Sequence, residues 1–353
     1  MQLLKVTFLC SFLLFFGSLN AQKFTVSGYI EDAASGEKLM AANVFDYKSG
    51  LGAVSNTYGF FSLTLPRDTV ALRVSYIGYE SEEIVLFLDK DLAMNFKLSS
   101  AVSLKEIEVV AERHYEEIQE QTQMSRIDVP IEQIKKVPAL LGEVDVLKTL
   151  QLLPGVQSGG EGQSGLYVRG GSPDQNLVLL DGVPIYNVSH VLGIFSVFNA
   201  DAIKNVTLTK GGFPARYGGR LSSVLEINMK EGNIQEFHGE GSVGLISSKL
   251  TLEGPIWKDK TSFIVSGRRT YADLIAKPIA KKAAKRNDQD LDLTLYFYDL
   301  NAKINHKFNE KHRLYASAYL GSDVFKNKIN ELGEDESFGG GIDWGNIISA
   351  LRW

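Results

Sequence analysis

The sequence predicts a mainly β protein in three successive parts: an N-terminal β-sandwich, a mixed α/β domain, and a run of antiparallel strands. Three observations predict it. Residues 23–98 carry short runs that alternate apolar and polar side chains between turn residues. Residues 126–232 combine helical spacing with short apolar strands. From Gln235 onward the alternation lengthens into hairpins, with short turns on one side and longer loops on the other.

The chain opens with "MQLLKVTFLCSFLLFFGSLNAQ", in which Lys5 precedes an apolar stretch, Val6–Phe16, and small residues precede Gln22. That order predicts a secretory signal peptide over 1–21, cleaved after Ala21. The apolar stretch is shorter than the ~20 residues of a helical membrane span. The single cysteine, Cys10, lies inside it behind Phe8-Leu9, the wrong place for a lipid anchor. The mature chain then has no cysteine, hence no disulfide, thiolate nucleophile or cysteine-held metal.

In 22–100 the runs "FTVSGYI", "AANVFDY", "GFFSLTL", "VALRVSYIGY", "EEIVLFL" and "AMNFKL" are separated by turn residues such as Lys48-Ser49-Gly50 and Pro66-Arg67-Asp68. Phe61, Leu63 and Leu65 share one face and Ser62 and Thr64 the other. This spacing predicts a sandwich of about seven short strands. Asp32, Glu37 and Asp46 read as solvated turn carboxylates.

Residues 101–125 turn polar around one apolar island, Ile107–Ala111. They read as a linker whose island could pair as an added strand, or as a last strand of the sandwich. In 126–232 the spacing predicts helices over Ile131–Val137 and Gly142–Leu153, the second stopped by Pro154-Gly155. Strands follow at Leu166–Arg169, Asn176–Leu180, Ile203–Thr209 and Val224–Met229. In 233–353 the strands turn at "WKDK" and "NEKH", and "AKPIAKKAAKRNDQD" reads as a basic loop. Tyr296, Tyr298, Tyr315 and Tyr319 sit at even spacings. Alternation over ~10 residues with aromatic ends fits an outer-membrane β-barrel, and periodicity alone fits a soluble antiparallel sheet equally well.

The formal charge of −5 and pI near 5.7 supply no cationic field for nucleic acid. Gly160-Glu161-Gly162-Gln163-Ser164-Gly165 matches G-x-G-x-x-G, but a helix precedes it and a strand follows, the reverse of a dinucleotide site. "VRGGSPD" lacks the Gly-Lys-Ser/Thr ending of a phosphate loop. The five histidines (114, 190, 238, 306, 312) show no metal-ligand spacing. Ser164 lacks the flanks of a nucleophile elbow. The acidic run Glu106, Glu108, Glu112, Glu116 and Glu117 reads as a solvated linker. No paired general acid and base stands out, so the sequence offers no catalytic residue, metal or cofactor.

Two longer stretches carry a resemblance. "LYVRGGSPDQNLVLLDGVPIYN" and "FSVFNADAIKNVTLTKGGFPARYGGRLSSVLEINMKEG" resemble the plug domain of TonB-dependent outer-membrane receptors. The matching motifs are Arg169-Gly170, Asp181-Gly182-Val183-Pro184, Ile203–Gly211 and Tyr217–Ile227, in the family's order. Leu225 and Glu226 depart from it, standing where many members carry Gly-Val-Ile. Ahead of it, "VSGYIEDAASGEKLMAANVF", "SNTYGFFSLTLP" and "LRVSYIGYE" resemble the carboxypeptidase-regulatory-like, transthyretin-like sandwich, an order found in Bacteroidetes-type receptors.

The resemblance implies active uptake of an extracellular ligand (ferric chelate, cobalamin, glycan or peptide) across the cell outer membrane. Its implied partners are a TonB-type energy-transducing protein, outer-membrane lipid and, as a candidate, a surface lipoprotein; nucleic acid is not among them. Ile107, Glu108, Val109, Val110 and Ala111 match the TonB box in type and position. Arg169, Gly170, Asp181, Gly182, Arg216, Tyr217 and Gly218 are implied to be structural or gating residues of the plug. Arg169, Asp181 and Arg216 are expected buried against the barrel as ion-pair partners. The family barrel has about 22 strands and only about five follow Gln235, so the chain reads as the N-terminal part of a longer receptor, a fragment or a truncated gene product. Two other classes stay open: a signalling or surface-binding module, and an exported hydrolase.

Overall fold

The computed structural model describes residues 22–101, 125–138, 142–160, 165–287, 289–309, 312–331 and 337–353. The expected signal peptide and the island Ile107–Ala111 lie outside them. The chain divides into two compact units, described in turn.

The first unit is a sandwich of two four-stranded sheets. In one, β1 (Lys23–Asp32) pairs with β4 (Phe60–Pro66) antiparallel and with β7 (Leu92–Ala93) and β8 (Phe96–Leu98) parallel. The other is antiparallel, in the order β3 (Leu51–Val54), β2 (Asn43–Asp46), β5 (Thr69–Ser75), β6 (Glu82–Phe87). Alternation drives the assembly: Phe61, Leu63 and Leu65 are buried while Ser62 and Thr64 are exposed. They meet Val44, Val70, Leu72 and Val74 of the other sheet in one core. Each such side chain contributes about 1.5–3 kcal/mol on burial. Asp46 is no solvated carboxylate but an anchor, accepting the backbone N–H groups of Ser49 (2.9 Å) and Ala71 (2.8 Å). Burial raises its pKa, and these hydrogen bonds outweigh that and hold it below its ordinary value.

The second unit holds the middle domain and a six-stranded sheet. The middle domain is centred on a five-stranded sheet of β9 (Arg126–Pro130), β12 (Asn176–Leu180), β13 (Val183–Pro184), β16 (Ile203–Thr209) and β17 (Ser223–Met229), ordered β13-β12-β17-β16-β9. Two small hairpins, β10 (Val156–Gln157) with β11 (Tyr167–Val168) and β14 (Ser189–His190) with β15 (Phe195–Ser196), complete it. The β12–β17 pair is parallel and the other pairs are antiparallel. Helices α1 (Ile131–Lys136) and α2 (Val146–Leu150) add Ile131, Ile134, Val146, Leu147 and Leu150 to the core around Val206, Leu208, Leu225 and Ile227. The second helix is shorter than its spacing predicts. Gly142 is left-handed (φ +82°) and Asp145 is extended, so the helix starts at Asp145, whose carboxylate caps the Lys148 N–H at 3.0 Å.

The six-stranded sheet is an antiparallel meander of β18 (His238–Val243), β19 (Ser247–Trp257), β20 (Thr261–Thr270), β21 (Gln289–Lys307), β22 (Arg313–Glu331) and β23 (Ser337–Arg352). Its polarity is inverted. On β21, Phe297, Asp299, Asn301, Lys303 and Asn305 are buried, while Leu300 and Ile304 between them are each 47 % exposed. Ser266, Arg268 and Thr270 are likewise buried on β20, against exposed Val265. A water-facing sheet does the opposite; polar-inside, apolar-outside alternation is the pattern of a barrel wall. Tyr315 and Tyr319 are buried on the inner face, not at an aromatic rim. Trp257, Phe308 and Trp353 instead mark the end with the short turns. Among the described residues no helix is long and apolar enough to cross a membrane, which says nothing of strands.

The expected basic loop is a helix, α3 (Ala272–Ala284), between β20 and β21. Its Ala, Leu and Lys content favours helix, Asp273 stands in its first turn and Lys281 and Lys282 in its last, as the helix dipole prefers. Pro278 argues against a helix but does not break this one.

Candidate functional site

The two Gly-containing motifs are tight turns. Arg169 and Gly170 both have positive φ (+48° and +81°), as do Asp181 and Gly182 (+48° and +83°). Positive φ at both central residues is the type I′ signature, and Asp-Gly is among its preferred pairs. The Gly171 N–H closes the first turn on the Val168 carbonyl at 2.9 Å, and Asp181-Gly182 joins β12 to β13.

Asp181 does more than turn the chain. Its carboxylate accepts the Met229 N–H at 3.0 Å and meets Lys303 Nζ of the six-stranded sheet at 3.1 Å, with both side chains nearly solvent-free. Asp181 is thus ion-paired with Lys303. Arg169 and Arg216 are corrected: both are exposed. Arg169 projects from its surface turn and donates to Ser125 Oγ at 3.3 Å, and Arg216 lies over the Tyr217 ring at 4.7 Å. Among the described residues nothing packs over these two side chains as Lys303 does over Asp181, and a guanidinium keeps its charge in solvent at little cost. Gly218 sits in open space at ordinary φ. Tyr217 donates to Glu226 Oε1 at 2.5 Å, so Glu226, the departure from the family pattern, has a partner within the same motif. Burial, then the Glu226 carboxylate, push the phenol up to about 12.

A buried charged seam joins the middle domain to the sheet. Arg268 is its hub. Its guanidinium donates to Asp299 Oδ2 (2.7 Å), Glu143 Oε1 (2.9 Å) and the Ser196 carbonyl (2.8 Å). Glu143 also accepts Ser247 Oγ at 2.5 Å and lies 3.6 Å from Lys249. Lys249 in turn faces Asp201 at 3.8 Å, and Lys135 closes on Asp201 at 2.8 Å. At the other end His190 stands between two carboxylates, Nδ1 at 2.6 Å from Asp323 and Nε2 at 2.8 Å from Asp299, with its ring stacked on Phe297 at 4.1 Å. Asp323 also accepts the Val191 N–H at 2.8 Å, and Tyr319 donates to Asp299 at 2.7 Å.

This seam sets the charge of His190. A neutral imidazole has one N–H and would turn a lone pair on one of the two carboxylates. As an imidazolium it donates to both, and the cations Lys135, Lys249, Arg268 and His190 then balance Asp201, Glu143, Asp299 and Asp323. Burial works against that charge, but the hydrogen bonds to Asp299 and Asp323 prevail and raise the pKa. Asn199 Nδ2, which donates to Ser266 Oγ at 2.7 Å, adds a neutral link.

None of the seam was singled out in the sequence, where His190 was only one of five histidines without a motif. The signal in the sequence is incomplete. Asp299 and Lys303 share one face of β21 and Leu300 and Ile304 the other, but alternation alone does not say which face is inside; burial does. Among the described residues no group of three or more His, Cys, Asp or Glu could hold a metal ion.

Two family models match the chain: the CarboxypepD_reg-like domain over residues 26–110 and the TonB-dependent receptor plug domain over residues 118–223. The chain is 35 % identical over 113 residues to the vitamin B12 transporter BtuB of Vibrio vulnificus, a match covering 31 % of this chain and 17 % of that protein. Among solved structures, the siderophore receptor PirA of Pseudomonas aeruginosa aligns at 16 % identity and TM-score 0.40, covering 65 % of this chain and 43 % of that one. The copper transporter OprC aligns at 11 % identity and TM-score 0.41, covering 65 % and 38 %. The chain thus spans less than half the length of each of these relatives.

Proposed function

Because the chain carries the plug domain of TonB-dependent receptors behind a CarboxypepD_reg-like domain, we infer that it takes up a small extracellular nutrient through the outer membrane, using work delivered from the inner membrane. The observation that carries this reading is the inverted six-stranded sheet, apolar outside and locked to the plug inside by the Arg268–Glu143–Asp299–His190 seam. A sheet of that polarity suits a membrane wall, and a plug bound by buried charge blocks the lumen until it is pulled. The chain reaches the outer membrane by the signal peptide at 1–21.

Ile107–Ala111 is the segment the energy-transducing protein captures, by adding it as a strand to its own sheet. It lies ahead of β9, an edge strand of the plug sheet and the first in the chain, so tension reaches that strand first. Arg169-Gly170 and Asp181-Gly182 shape plug turns, Asp181 ties the plug to Lys303, and the Tyr217–Glu226 bond holds the segment leading into β17. No side chain here is assigned a catalytic role. Deleting residues 107–111 in the full-length receptor should abolish energised uptake of a radiolabelled nutrient while surface binding persists. Uptake retained at the wild-type rate would sink the assignment.

A further inference from the structure

Helix α3 lies on the outside of the sheet, and its exposed face runs from apolar to cationic. On β21 the inward residues carry odd numbers from Phe297 to Asn305, and Leu300 and Ile304 belong to the outward series. Asp290 and Asp292 fall in that outward series, because the pairing with β22 is unbroken from Gln289 to Lys307. Lys277 Nζ reaches Asp292 at 2.5 Å and Lys281 Nζ reaches Asp290 at 3.2 Å. The two bridges advance together, about 6 Å along the helix and about 7 Å along the strand. The helix therefore runs alongside β21 on the outer face, with its C-terminal end farthest from the rim of Trp257, Phe308 and Trp353.

Height decides what it can meet. From Lys307 at that rim to Tyr298 the strand climbs about 24 Å at a tilt of about 40°, close to the apolar band of about 25 Å in outer-membrane barrels. Tyr298 and its neighbour Tyr296, over which Arg269 sits at 4.9 Å, mark the upper aromatic level. Asp292 and Asp290 stand about 16 and 21 Å higher again. A phospholipid headgroup layer extends only about 5–8 Å beyond the hydrocarbon, so the helix overtops it. A tall headgroup bearing sugars spans that height.

The exposed face supplies matching chemistry. Leu274, on the lower half, and Ile279, just past the middle, are 67 % and 66 % exposed. Above them Lys281, Lys282, Lys285 and Arg286 are exposed, and among the described residues no carboxylate pairs with Lys282, Lys285 or Arg286. Cations on a short helix beside a membrane favour phosphate, with the Arg fork adding bidentate contact. We propose that α3, with the single 3-10 turn that continues it (Lys285–Asn287), docks the phosphorylated headgroup of an outer-leaflet glycolipid, with Leu274 and Ile279 against its sugars and Lys282, Lys285 and Arg286 on its phosphates. The proposal rests on the reading of the sheet as a membrane wall.

The test uses the full-length protein with an environment-sensitive dye on Ala283→Cys, in phosphatidylcholine nanodiscs. The added lipid is a lipid A carrying its phosphorylated sugar core, the same glycolipid dephosphorylated, or phosphatidylglycerol. The dye should respond to the phosphorylated glycolipid alone, and Lys282→Ala, Lys285→Ala and Arg286→Ala together should weaken that response about 100-fold. An equal response to the dephosphorylated glycolipid or to phosphatidylglycerol overturns the proposal. So does displacement by inorganic phosphate at constant ionic strength, which would mark a site for the free anion. A second dye on Ile304→Cys, mid-height on the outer face, tests the wall itself by quenching from brominated acyl chains. Quenching there without a glycolipid response at the helix sinks the docking site alone; no quenching at Ile304→Cys sinks both readings.

Discussion

Glu143 on the plug and Arg268 on the sheet meet at 2.9 Å with both side chains 1 % exposed. Such a pair adds little net stability over an apolar pair, but losing one member strands the other as a buried charge, at about 3–5 kcal/mol. Arg268→Met should therefore lower the unfolding free energy of the plug–sheet unit by about that much, measured by denaturant titration in detergent. Loss below about 1 kcal/mol, the scale of an exposed pair, would show that the seam is solvated.

His190 gives the seam a pH dependence whose sign is fixed. Its folded-state pKa is raised above the ordinary value of about 6.5. Its contribution is therefore complete below about pH 6.5 and disappears as pH rises through the higher folded value. The thermal midpoint should fall across that window in the wild type, and His190→Gln should flatten the profile. A wild-type midpoint that rises over the same range contradicts an imidazolium between Asp299 and Asp323.

Two glycines from neighbouring motifs should behave differently. Gly182 has φ +83° with nothing within 4 Å of an added Cβ, so Gly182→Ala costs only backbone strain, about 1–2 kcal/mol. Gly218 has open space and ordinary φ, so Gly218→Ala should stay within about 0.5 kcal/mol of wild type. Thermal melts of the two variants decide it, and equal losses would mean the Asp181-Gly182 turn is not held in its left-handed form.

Tyr217→Phe removes the donor to a half-buried Glu226. The expected loss is about 1–3 kcal/mol, the cost of an acceptor left without its partner. Ultraviolet difference titration should show one phenol ionising near 12 in the wild type and absent from the variant. If every tyrosine ionises near its ordinary value of about 10, the Tyr217–Glu226 bond does not form.

Much of the architecture is legible in the sequence because it depends on local pattern. Phe61, Leu63 and Leu65 alternate with polar neighbours, and Asp181-Gly182 is a turn pair whatever its surroundings. What joins the parts is not local. Arg268, Asp299 and His190 come together across three separate elements, and each looks ordinary in its own strand. Arg169 and Arg216 were misplaced for the same reason: a motif fixes their position in the chain, while burial depends on what packs against the turn. Helix α3 was hidden by Pro278, a residue that weakens a helix without forbidding it.

In the function we propose, the plug must be released from the sheet for uptake to proceed. Asn199 and Ser266 bond directly across the interface at 2.7 Å and are both buried. Asn199→Cys with Ser266→Cys, oxidised in the full-length receptor in intact cells, would tie plug to sheet by a covalent link. Energised uptake should then fall to background while surface binding is retained, and a membrane-permeant reductant should restore it. Uptake at the wild-type rate with the disulfide quantitatively formed would contradict the account.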